Sequence, residues 1–327
     1  MRSGVVAYTV GRTFFIETNY MKQLRSLFFV ACCSLFLFGC DSDNNSTGGE
    51  TESNINANRL VGVSTIGNPT MPPEICRLEF PKIKGGNSMI IVHKAELNAR
   101  THEYGVNYSV EWDTQKKSQR WSCYQMYRSI AEAHTKRYRS KTNQYPQDSN
   151  LPEAFQFASD PYWRTGYDHG HICPSADRLG SAEANCQTFF LTNMQPQVNG
   201  FNAYVWANME KQLRIWDRDD FRDTLYVCKG GTIDKQNQIL TVTSKGLIVP
   251  KYFYMAILCK NKSGYKALGV WIEHEANDDT DLGKYVVSIQ ELERKTGIDF
   301  FCNLPDNIER RVESLPKEKI KLAWGLR

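Results

Sequence analysis

The chain reads as an α+β protein with a mixed or antiparallel central sheet and flanking helices. Three observations predict this. Segments rich in aromatic and β-branched residues recur between residues 104 and 272. They bunch together instead of alternating regularly with helices, which argues against a doubly wound sheet. The length of 327 residues, with 41% hydrophobic and 23% charged, suits one large globular domain or two small ones.

Taken in order, Tyr104–Trp112 and Arg120–Tyr127 read as strands, and Gln187–Thr192 as another. Asn202–Trp216 lacks Gly and Pro, and its Val205, Met209, Leu213 and Trp216 repeat at helical spacing. Thr224–Lys229, Leu247–Leu258 and Ala267–Ile272 read as later strands. Ser288–Thr296 reads as a helix closed by Gly297, and Pro305–Ser314 as a further one. No internal repeat shows at the usual periods.

The N-terminal part reads as a targeting segment. From Met21, the expected true start, Lys22 and Arg25 precede the apolar run Ser26–Phe38, which is too short to cross a bilayer comfortably. Residues 1–20 read as an upstream extension. The run ends in Leu37-Phe38-Gly39-Cys40, which resembles the lipobox of bacterial lipoproteins, with Cys40 lipidated. The alternative is an ordinary cleaved signal with an incidental cysteine. Residues 41–75 begin with a polar run and read as a flexible tether, and 76–327 as the globular domain. This organisation predicts an extracytoplasmic, membrane-anchored protein of the cell envelope, where disulfides are permitted. Seven cysteines follow Cys40, an odd number without a CxxC pair, so a structural zinc site of the usual spacing is unsupported.

The formal net charge is +4, most of it from residues 1–40. Global charge therefore does not argue for a nucleic-acid partner; a local motif must. That motif is Tyr167–Arg178, YDHGHICPSADR, which holds two of the six histidines. If Tyr167–Ile172 is extended, His169 and His171 share one face and Asp168 points to the other. Together with Cys173 they form one zinc or copper hypothesis. The bland reading is a polar turn with satisfied histidines.

Further on come Thr192-Asn193-Met194-Gln195-Pro196-Gln197 and Asn202…Glu210. These motifs, in this order, resemble the DNA/RNA non-specific endonuclease family, the ββα-metal or His-Me finger nucleases, over roughly residues 80–320. The resemblance implies a ββα-metal active-site motif and a sugar-non-specific phosphodiester hydrolase acting on DNA and RNA. It implies His171 as general base, Asn202 as the ligand of Mg2+ (or Mn2+), and Glu210 acting through metal-bound water. It places Asn193 among the substrate-binding polar residues, and Arg137 or Arg139 on phosphate. Asp168 is expected to face away from substrate and brace the strand. Arg164, beside Trp163, is a candidate for the substrate groove. No protein partner is predicted, and His93, His102, His134 and His274 are left structural.

The chemistry suits these residue types. A neutral imidazole takes a proton from water near neutral pH. Magnesium prefers oxygen donors and keeps several waters. An uninterrupted helix would set Glu210 roughly 12 Å along the axis from Asn202, too far for one ion without an irregular start. The departure is His169, where the family carries arginine. A protonated His169 would make activity fall towards pH 8, and a weakened, nucleic-acid-binding protein is the alternative outcome.

Overall fold

The computed structural model describes residues 53–59 and 71–326. The expected signal segment, Met21 and Cys40 lie outside them. The described elements run β1 (Ser88–Asn98), β2 (Glu103–Asp113), β3 (Ser118–Tyr127), β4 (Asp168–His171), α1 (Ala182–Gln187), β5 (Met194–Gln197), α2 (Ala207–Trp216), β6 (Thr224–Gly231), β7 (Ile239–Val242), β8 (Ile248–Pro250), β9 (Tyr252–Asn261), β10 (Gly264–Glu273), β11 (Val286–Val287), α3 (Ile289–Thr296), α4 (Asp306–Glu313) and α5 (Lys317–Trp324). Seven strands form one antiparallel sheet in the order β1-β2-β3-β6-β9-β10-β11, with β4–β5 and β7–β8 as separate antiparallel pairs.

Period-2 alternation sorts the central strands into two cores. In β9, Phe253, Met255, Ile257 and Cys259 face the core shared with α2 and α5. Tyr254, Ala256 and Leu258 face the opposite core, shared with α3 and α4. In β6, Leu225 and Val227 share the α2 side, so the same parity carries Lys229 there. Both faces being covered explains why β9 reads as a continuous apolar run.

The sequence readings need four corrections. Gln187–Thr192 is not a strand: Gln187 ends α1 and Leu191–Asn193 form a short 3-10 turn. An apolar run this short carries no usable period. Leu247–Leu258 is two strands, broken at Lys251. β1, β7, α1 and α5 were not expected at all. Residues 53–59, inside the segment read as a tether, are pinned to the domain. Ser53 bonds Asp306, the Ile55 N–H donates to Asp306 (3.0 Å), and the Asn58 amide donates to the Ile75 and Pro81 carbonyls (3.0 and 2.9 Å).

Candidate active site

β4 and β5 form a short hairpin-like pair with His171 opposite Met194 and Asp168 opposite Gln197. Gly170 is required where the two strands meet, because a Cβ there would lie 2.3 Å from the buried Gln197 side chain. After β5 the chain enters a helix that starts irregularly. Phe201–Trp206 form a π-helical turn before α2. The cause is visible at Val205, whose N–H donates outward to the Asn277 carbonyl (3.3 Å) and leaves the helical ladder. This is the irregular start that the spacing of Asn202 and Glu210 demanded. Both residues line one cleft of about 430 Å³, together with Arg137, Tyr145, Asp168, His169 and His171.

His171 packs edge-on against Phe189, with ring centroids 4.8 Å apart. Its Nε2 is buried and has no hydrogen-bond partner among the described residues. Burial, helped by the neighbouring Arg137 guanidinium, pulls the imidazole down to about 3. The ring is therefore neutral across the physiological range. Arg137 lies over the same Phe189 ring at 4.7 Å, and among the described residues no carboxylate pairs with it. Phe189 thus carries both the imidazole and the guanidinium. Nothing in the sequence marks this role, because Phe189 falls in a segment that reads as a strand.

Asp168 does not face away from the cleft. It lines the cleft, and its carboxylate accepts from the side-chain amides of Asn202 and Asn199, each at 3.0 Å. A carboxylate only accepts, so this contact turns the Asn202 nitrogen inward and leaves its Oδ1 as a free oxygen donor. Glu210 is held by Lys229, whose Nζ donates to Oε1 at 2.7 Å. The lysine side chain is 0% exposed and sits over Trp206 at 4.9 Å. Burial pushes the Glu210 carboxyl up, against the opposing pull of Lys229. An amide oxygen and the remaining carboxylate oxygen form a hard donor set, which fits Mg2+ or Mn2+ with retained waters.

Several expected site residues fall elsewhere. His169 lines the cleft but is clamped. It stacks on Tyr145 (3.6 Å, 4°) and Tyr162 (4.1 Å, 26°), and its Nε2 meets both Asp160 carboxylate oxygens at 3.0 and 3.1 Å. Burial lowers its pKa although Asp160 opposes this, and with both ring faces stacked and Nε2 on Asp160 the side chain is held in the cleft wall. Asn193 is fully buried. Its amide donates to the Cys173 and Thr188 carbonyls (2.8 Å each), and its oxygen accepts from the Cys173 N–H (2.9 Å) and Ser122 Oγ (3.1 Å). With every polar position filled, it pins the turn after β4 and has nothing left for substrate. Both arginines are exposed, but Arg137 lines the cleft and Arg139 does not. Arg164 lines a different hollow. Cys173 is buried and does not line the cleft with His169 and His171, which does not favour the His/His/Cys metal reading. The seven described cysteines are free thiols, and no described group of three His, Cys, Asp or Glu residues could hold a metal by itself.

A two-stranded pair followed by a helix, with a histidine on the first pair strand and an asparagine at the helix start, is the ββα-metal arrangement. The crystal structure of the EndoG/EndoGI complex contains a chain of like fold, with a TM-score of 0.53 and 22% identity over 60% of this chain and 84% of that one. The DNA/RNA non-specific endonuclease family matches residues 86–307, and the chain belongs to it. A nuclease of Syncephalastrum racemosum is 30% identical over 181 residues, 51% of this chain and 56% of that one. A nuclease of a Nostoc species is 29% identical over 219 residues, 63% of this chain and 75% of that one. The chain thus spans little more than half the length of the first of these relatives.

Proposed function

We propose that the protein is a metal-dependent endonuclease that hydrolyses phosphodiesters in DNA and RNA without reading base sequence. The observation that carries this is the convergence of three groups on one cleft. They are a neutral, unpartnered His171 imidazole, an Asn202 amide oxygen turned out by Asp168, and an Arg137 guanidinium free of carboxylates.

In this reading His171 takes a proton from water as the water oxygen attacks phosphorus. The bond from phosphorus to the 3′ oxygen breaks in line, and the leaving oxygen takes up a proton. The products carry a 5′-phosphate and a 3′-hydroxyl. Arg137 binds the phosphate oxygens and stabilises the added charge of the transition state. Asn202 would hold Mg2+ or Mn2+ directly, and Glu210 would hold it through water. The ion, when bound, supplies further charge stabilisation at the phosphate and leaving oxygens. Asp168 and Lys229 are positioning residues that fix Asn202 and Glu210. His169 acts as the filling of an aromatic stack that sets Tyr145 on the cleft wall. These contacts reach phosphate and sugar, which carry no base identity.

The test is incubation of residues 41–327 with plasmid and with RNA, in Mg2+ and then in EDTA. Cleavage that is lost in EDTA and in His171→Ala supports the proposal; binding without cleavage in Mg2+ removes it. The signal segment and the lipidated Cys40 stand as a second part of the proposal, supported by the sequence from Met21 to Cys40. Labelling with a palmitate analogue that survives Cys40→Ser would reject the anchor.

A further inference from the structure

A second cationic and aromatic surface sits one turn upstream of the catalytic strand. Trp163 is 65% exposed, although its neighbour Tyr162 is buried and stacked on His169. The turn that presents Trp163 is well held. The Thr165 N–H and Oγ1 both donate to the Tyr162 carbonyl, at 3.0 and 2.8 Å. Arg164 takes the left-handed conformation at φ 60°, which is unfavourable for a residue with a side chain. Its guanidinium lies 5.6 Å from the Trp163 ring. From across a hollow of about 470 Å³, Lys245 donates to the Trp163 carbonyl at 2.7 Å. Thr165, Thr243 and Ser244 complete the lining, which contains no carboxylate.

We propose that Trp163, Arg164 and Lys245 form an accessory nucleic-acid subsite: one base stacks on the indole and the two cations hold flanking phosphates. The proposal rests on the nuclease reading and extends it. An exposed aromatic face among cations, with no carboxylate in the lining of the hollow, is the chemistry of single-strand binding. The hollow is separate from the catalytic cleft but close to it along the chain: Tyr167, four residues after Trp163, lines the cleft. Four residues span at most roughly 14 Å, about four steps of a stacked strand at roughly 3.4 Å each. The subsite therefore lies within about four stacked nucleotides of Tyr167 on the cleft wall, and strands too short to reach out of the cleft miss it.

The test is affinity against length in the His171→Ala background, read by fluorescence anisotropy with labelled single strands of about three and about twenty nucleotides. Trp163→Ala is expected to weaken the long strand about tenfold, within the range of one lost stack, and the short strand less than twofold. Trp163→Phe is expected to restore most of the loss, which separates stacking from misfolding. Arg164→Ala and Lys245→Ala are each expected to lower the salt slope for the long strand by about 0.7. An equal loss on both lengths, no loss on the long strand, or no rescue by phenylalanine would overturn the subsite. Those results leave the nuclease reading standing, whereas a parent protein that cleaves no long strand in Mg2+ removes the nuclease reading itself.

Discussion

Lys229→Met offers the sharpest test of how the site is held. The substitution keeps the length and the apolar stem of the side chain and removes the ammonium that meets Glu210 at 2.7 Å. The lysine is 0% exposed and the glutamate 13%, so little water can replace the lost partner. Breaking one side of such a buried pair costs about 3–5 kcal/mol. For a domain of about 250 residues that is a fall in Tm of roughly 6–20 °C. The penalty depends on pH. Burial already raises the Glu210 pKa, and loss of Lys229 raises it further. The native state of the variant then holds a proton that the unfolded state releases, so its stability falls as pH rises above the usual carboxylate range. Urea midpoints at pH 5 and pH 8 are expected to show a clearly larger loss at pH 8. The pair Lys229→Met with Glu210→Gln is expected to regain most of the stability, though not the activity. A single variant that loses under about 1 kcal/mol at pH 8, or a double variant that loses the sum of both, would show that Lys229 does not hold Glu210 as a buried pair.

Other expectations follow from the same geometry. Because burial and Arg137 lower the His171 pKa to about 3, the base stays neutral as pH falls. The activity limb due to this histidine is therefore expected near pH 3, and a limb near 6.5 that vanishes in His171→Ala would contradict this. The unfolded imidazole, by contrast, protonates below about 6.5. Between pH 7 and 5 the wild type is expected to lose about 2 kcal/mol that His171→Ala does not lose, measured by urea midpoints. Asp168→Ala frees the Asn202 amide to rotate and is expected to raise the Mg2+ concentration for half-maximal rate about 10–100-fold; an unchanged Mg2+ titration would separate the two residues. Gly170→Ala drives a Cβ into the buried Gln197 side chain and is expected to cost about 1–3 kcal/mol. Unchanged stability would show that the β4–β5 pair can open.

The catalytic strand and its helix were legible because their residues sit close in sequence and obey strand and helix periods. His171, Asn202 and Glu210 fall in one cleft as expected. What was illegible came from the irregular stretch between residues 132 and 167, which supplies Arg137, Tyr145, Asp160 and Tyr162 without any period to read. The same stretch explains His169. Its role is set by two tyrosines and an aspartate that only tertiary folding brings to it. Lys229 carried a faint signal, since it shares parity with Leu225 and Val227 on an apolar strand. β1 hid for a related reason: His93 occupies a fully buried position among Ile91, Ala95 and Leu97 and interrupts the apolar alternation. Asn193 was misread because a buried amide and a substrate-facing amide look alike in a motif.

The bonds at Ser53 and Asn58 fix where the chain enters the domain. They lie against α4 and the Asn303 region, beneath the core shared with α3 and α4. The cleft opens beyond the other face of the sheet, on the α2 side. The entry segment and the cleft therefore lie on opposite faces of the sheet, so neither competes with the other for surface.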